Sequence, residues 1–216
     1  TMIYGLERHI LENGLIVGFV NIPHNPHVCV HIRGLAGSNY ENDSEIGAAH
    51  LLEHIIVDSP AFTGLAGLAK LVAICSRDDV IYGIKLPGEN ILKILQVINT
   101  IFDRELPGIS NLDKHKTIVN NEIMRHRSNP EKLITRAIYR ILFPGTRLAV
   151  FNSGTPESIG QITPETLMRF YSRMYKPKYF VVTITGNVSA ENKTILLNYL
   201  NKIWLLKSKT KPERSY

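Results

Sequence analysis

Two histidines and a glutamate fall within five consecutive residues, His50-Leu51-Leu52-Glu53-His54. On a helix, positions i, i+3 and i+4 share one face, so His50, Glu53 and His54 project together. Two imidazoles one turn apart can hold a Zn²⁺ through nitrogen. The carboxylate between them can reach a metal-bound water without ligating. The order is the inverse of the His-Glu-x-x-His arrangement. A catalytic zinc also needs a third protein ligand and a position left open for water. Glu122, in Val119-Asn120-Asn121-Glu122-Ile123, is a candidate for that ligand. His115 lies two helical turns before it, on nearly the same face. A plainer reading also fits these residues: a surface helix with an ordinary His/Glu cluster, and an exposed helix carboxylate at 122.

The elements that must position these groups follow from periodicity and turn chemistry. Residues 3–34 read as a meander of strands: Tyr4 to Leu11, the hairpin signal Asn13-Gly14, Leu15 to Val20, a turn at Pro23-His24-Asn25-Pro26, and Val28 to Arg33. After a polar loop, Ser44 is the expected cap of the His50 helix, with Glu45 in its first turn and an end near Val57 to Pro60. Phe62 to Ala69 suggests a short second helix, weakened by Gly64 and Gly67. Leu71 to Ser76 and Val80 to Leu86 form an expected hairpin around Arg77-Asp78-Asp79. Apolar residues from Ile91 to Phe102 recur at helical spacing. Further helices are expected from Ser110 to Arg127, from Glu131 to Leu142, from the Thr163-Pro164-Glu165 start, and from Ala190 to Trp204. Tyr179 to Thr185 is a β-branched strand. This order predicts an α+β fold, with helices packed on one face of a largely antiparallel, mixed sheet.

The bulk numbers narrow the function classes. With 216 residues, 44% of them hydrophobic, the chain can bury a real core, and it is read as one domain over 1–206 with a basic tail over 207–216. No apolar run reaches the length of a membrane span. The net charge of +6 invites a nucleic-acid reading. Much of the excess lies in the tail, and no recognition helix or continuous basic stripe accompanies it. No nucleic-acid partner is therefore expected, while acidic peptide segments suit the charge. Cys29 and Cys75 have neither disulfide-framework nor CxxC spacing and read as small buried hydrophobes. They fit a reducing cytoplasm. A Thr ahead of Met2 points to Met2 as the natural start, and no secretory-signal pattern follows it.

Longer segments carry a resemblance. Leu11-Glu12-Asn13-Gly14-Leu15, Glu45-Ile46-Gly47-Ala48-Ala49-His50-Leu51-Leu52-Glu53-His54, Asn120-Asn121-Glu122-Ile123, Thr163-Pro164-Glu165-Thr166-Leu167 and Tyr175-Lys176-Pro177 run along almost the full chain. Together they resemble the inverzincin peptidases, the pitrilysin/insulinase family with the mitochondrial processing peptidases. The resemblance implies one Zn²⁺ per chain, with His50, His54 and Glu122 as ligands and Glu53 as general base. It implies peptide substrates bound as an added strand on a sheet edge, here Val72, Ala73, Ile74 and Cys75. The chain departs from the family pattern in carrying Val72-Ala73 where an Asn-Ala pair is usual. It also has His115 where a second Glu is common, so His115 becomes a candidate to stabilise an oxyanion or orient Glu122.

Family members join several such domains into a clamshell, so a homodimer or a second subunit of the same type is expected. Arg214 and Tyr216 are candidates for substrate contacts that the other half supplies in the family. The expected activity is zinc-dependent endopeptidase action on peptides or unfolded segments. A non-catalytic or partner-dependent subunit of a hetero-oligomer is the alternative.

Overall fold

A computed structural model describes residues 5–203 apart from 104 and 107. Six strands form one sheet: β1 (Leu6–Ile10), β2 (Ile16–Asn21), β3 (His27–Gly34), β4 (Lys70–Cys75), β5 (Val80–Pro87) and β6 (Phe180–Gly186). Their order is β1-β2-β6-β3-β5-β4. Among the described residues, β2 and β6 run parallel and the other neighbours antiparallel. The sheet is therefore mixed and largely antiparallel, as expected.

The expected meander is interrupted. β6, from near the end of the described chain, inserts between β2 and β3. It pairs with β2 on one side and β3 on the other, and its Phe180, Val182 and Ile184 are fully buried against the core.

Alternation along the strands places the helices. In β3, Val28, Val30 and Ile32 are fully buried, whereas His27, His31 and Arg33 are exposed. One face of the sheet therefore carries the core and the helices, and the other stays open. The helices are α1 (Ala48–Val57), α2 (Pro60–Thr63), α3 (Ile94–Ile101), α4 (Leu112–Arg127), α5 (Pro130–Leu142), α6 (Pro156–Gln161), α7 (Pro164–Met174) and α8 (Ala190–Lys202). Trp204, expected in the last helix, lies outside the described residues, as do Arg214 and Tyr216.

Two expected boundaries change near the motif. Ser44 does not cap α1. It sits in a short 3-10 turn, Asp43–Glu45, with its own capping box from Asn42 and Glu45. α1 begins after Gly47, whose φ of 97° is in the left-handed region that a side chain disfavours. The Glu41 carboxylate accepts from Gly47 N at 3.1 Å and Ala49 N at 2.9 Å, so a carboxylate from the preceding loop meets the positive end of the helix. The helix expected over Phe62 to Ala69 is only α2, one turn that starts at Pro60 and gives way to turns at Gly64.

α1 is anchored by Leu51, Leu52, Ile55 and Ile56, each essentially fully buried. Each contributes about 1.5–3 kcal/mol of burial. α5 differs: Leu133, Ile134, Ile138, Ile141 and Leu142 line its exposed side, and none of its residues is buried.

Candidate metal centre

α1 packs against both β4 and α4, and α1 and α4 bring together residues 68 positions apart (122 − 54). Val119 and Ile123 bury one face of α4, which turns Glu122 toward α1. The resulting arrangement is tight. His50 Nε2 and His54 Nε2 lie 3.2 Å apart. Glu122 Oε2 is 3.3 Å from the first and 3.4 Å from the second. Three donor atoms thus form a nearly equilateral triangle. Tetrahedral zinc with bonds of about 2.0–2.1 Å places its ligand atoms about 3.3–3.4 Å apart. The donor set and its spacing fit a zinc ion.

Glu53 occupies a different place. Its Oε2 is 3.7 Å from His50 Nε2, outside the triangle, and its side chain is 12% exposed. His50, Glu53 and His54 together also form a possible ligand cluster, but a looser one, with donor atoms up to 4.8 Å apart. Burial raises the Glu53 pKa first of all; the nearby Glu122 charge adds to this and His50 opposes it. The Glu122 carboxyl moves the other way, to about 2, chiefly through its hydrogen bond with His50. Burial, and then the His50 charge, lower the His54 pKa. Two carboxylates on one site are thus pushed apart, one ionised throughout and one inclined to take a proton.

His115 is placed elsewhere. It is buried on α4, and its Nε2 lies 3.6 Å from Asp58 Oδ2 at the end of α1. Neither ring nitrogen has a hydrogen-bond partner among the described residues. Burial lowers its pKa. It stands two helical turns along α4 from Glu122, beside Asp58.

The expected edge strand is an edge. β4 is last in the sheet order and pairs only with β5 among the described residues. Val72 and Ile74 face the open side, while Ala73 and Cys75 turn toward the core. Burial, and then the Glu53 charge, push the Cys75 thiol well up, so it is protonated at neutral pH and packs as a small hydrophobe.

Two imidazoles and a carboxylate thus converge close to an open sheet edge. The chain belongs to the insulinase family, peptidase family M16, whose profile matches residues 19–152. An uncharacterised zinc protease of Rickettsia bellii is 25% identical over 189 residues, 84% of this chain and 46% of that protein. The beta subunit of the human mitochondrial-processing peptidase is 23% identical over 162 residues, 71% of this chain and 33% of that protein. A crystal structure described as an M16-like peptidase of Alicyclobacillus acidocaldarius superposes with a TM-score of 0.85 at 22% identity, over 98% of this chain and 52% of that one. The chain thus spans between a third and a half of the length of these curated relatives.

Proposed function

We propose that this domain is the metal-bearing part of a zinc endopeptidase that cuts peptides or unfolded segments. The observation that carries the reading is the triangle of His50 Nε2, His54 Nε2 and Glu122 Oε2, with edges of 3.2–3.4 Å. These three residues would hold the ion. A zinc ion there supplies Lewis acidity, polarising a peptide carbonyl and making water nucleophilic at neutral pH. Glu53 is the general base: its buried carboxylate accepts the proton of the attacking water and returns it to the leaving amine. β4 holds the substrate, its outer edge pairing with an extended peptide across Val72 to Cys75, at whose far end Cys75 O already accepts from Asn152 Nδ2 at 3.2 Å. His115 sits buried beside Asp58 at the end of α1, a structural place rather than a catalytic one.

A partner-dependent form of the same activity is the second reading. It is favoured by the partial-length match and by the processing-peptidase relative, which is named as a subunit.

One experiment addresses both. The purified chain is analysed for zinc and for mass in solution, then given an unstructured peptide with and without a chelator. Bound zinc with chelator-sensitive cleavage supports the proposal. Bound zinc without cleavage until a second subunit is added supports the partner-dependent form. A protein that excludes zinc overturns both.

The reading also fixes a pH dependence. Imidazole ligates only when unprotonated. The lowered His54 pKa means that the folded domain sheds this proton more readily than the unfolded chain does. Apparent zinc affinity is therefore expected to be steady above about pH 6.5 and to fall below it, well before the Glu122 carboxyl titrates. Competition with a chromophoric chelator from pH 7 to pH 5 measures this. Unchanged affinity across that range would remove the imidazoles from the site.

A further inference from the structure

A cavity of about 550 Å³ opens beside the metal centre, with His50 in its wall. It continues past the end of β4, where Cys75, Ser76 and Arg77 line it, and is closed on the far side by α5 and by residues 151–153. Arg77, Lys132 and Arg136 contribute cationic groups, and His126 lines it as well. No Asp or Glu lines it among the described residues.

Two of these cations, Arg77 and Arg136, are held in place rather than paired off. Arg77 Nη1 donates to Val150 O at 3.1 Å, and its guanidinium lies 4.3 Å from the centroid of the Tyr139 ring. The Arg136 guanidinium lies 5.4 Å over the Phe151 ring. Neither makes an ion pair with a carboxylate among the described residues. Partial burial, and then the like charges of Arg140 and Arg127, lower the Arg136 pKa, so this corner is short of negative charge.

Such a pocket gains most from a planar anion. A carboxylate entering it relieves repulsion among fixed cations, and the guanidinium fork matches its two oxygens. The Tyr139 and Phe151 rings wall part of the pocket. The position matters equally. A peptide paired along β4, with the bond to be cut at the His50 and His54 nitrogens, meets this cavity with the residues that flank that bond.

We propose that the cavity binds a carboxylate of the peptide substrate close to the cleaved bond, from either an Asp or Glu side chain or the peptide's own C-terminus. The assignment rests on the peptidase reading above and names the substrate class of that site.

Fluorescence anisotropy of zinc-loaded Glu53→Gln protein tests it with labelled, unstructured peptides that differ only by Glu or Gln at one position. Each is made with a free and an amidated C-terminus. Binding roughly ten- to a hundredfold tighter for Glu over Gln identifies a side-chain carboxylate. The same preference for free over amidated ends identifies the C-terminus. Arg136→Glu is expected to abolish that preference and to favour a Lys peptide instead. Should that variant fail to melt cooperatively, Arg77→Gln and Lys132→Gln serve in its place and are expected to shrink the preference.

Equal binding of all peptides overturns the cavity assignment, as does a charge preference that survives these substitutions. Zinc content and chelator-sensitive cleavage by the unsubstituted protein are read in parallel. Absence of zinc overturns the peptidase reading, whereas charge-blind binding with zinc and cleavage both intact overturns only the cavity. A zinc-loaded protein that binds none of the peptides overturns both.

Discussion

Glu53→Gln is expected to lower peptide hydrolysis by about two to four orders of magnitude, with zinc content held at the unsubstituted level. The amide keeps the shape of the side chain but cannot take a proton near neutral pH. Glu53 lies outside the triangle of donor atoms, so the three atoms that would hold the metal are untouched. Steady-state hydrolysis of an unstructured peptide, paired with metal analysis of the same sample, separates the two effects. Full activity in this variant would end the general-base assignment. Loss of zinc along with activity would move Glu53 from base to ligand, the alternative that the looser His50, Glu53 and His54 cluster leaves available.

Glu122→Gln should instead act on the metal. Outer partners of metal ligands typically contribute ten- to a hundredfold in affinity, so removing an anionic ligand should cost at least about a hundredfold. A second readout is thermal. Zinc at about a hundred times its dissociation constant adds about 2.7 kcal/mol to folding stability. For a domain of this size that is roughly 5–11 °C in Tm. The unsubstituted protein should show this rise when zinc is added, and Glu122→Gln should lose most of it. Because Glu122 sits on α4 and the imidazoles on α1, the missing increment reports the tie between two helices. A Glu122→Gln protein with normal zinc affinity and an unchanged zinc-dependent shift would remove Glu122 from the site.

Much of this site could be read in the sequence because local spacing carries it. Helical periodicity alone puts His50, Glu53 and His54 on one face, and the hairpin around Arg77-Asp78-Asp79 follows from its turn residues. Less legible were features that depend on distant segments meeting. Glu41 gives no sign in its own loop that it will receive the first N–H groups of α1, and Ser44 is the better cap by residue type alone. The insertion of β6 between β2 and β3 is a choice of tertiary pairing that alternation cannot encode. α6 was overlooked, although Thr155-Pro156-Glu157-Ser158 carries a cap and a helix-starting Pro that could have marked it. His115 shows the limit of facing arguments. Two turns from Glu122 on the same side of α4, it meets Asp58 rather than the donor atoms, because α1 ends there. The basic cavity had no local signature at all, since Arg77 and Arg136 stand 59 positions apart (136 − 77) and meet only in the fold.

The bare edge of β4 has a consequence for whatever is cut there. An added strand must arrive with its backbone donors and acceptors free, and in a folded protein these are already engaged. Selection at such an edge is then governed largely by the client's own folding free energy. A client stable by about 7 kcal/mol exposes a globally buried segment in only about one molecule in 10⁵. Its frayed ends and mobile loops open at almost no cost. Strand addition at Val72 to Cys75 would therefore rank clients by local stability before any side chain is read.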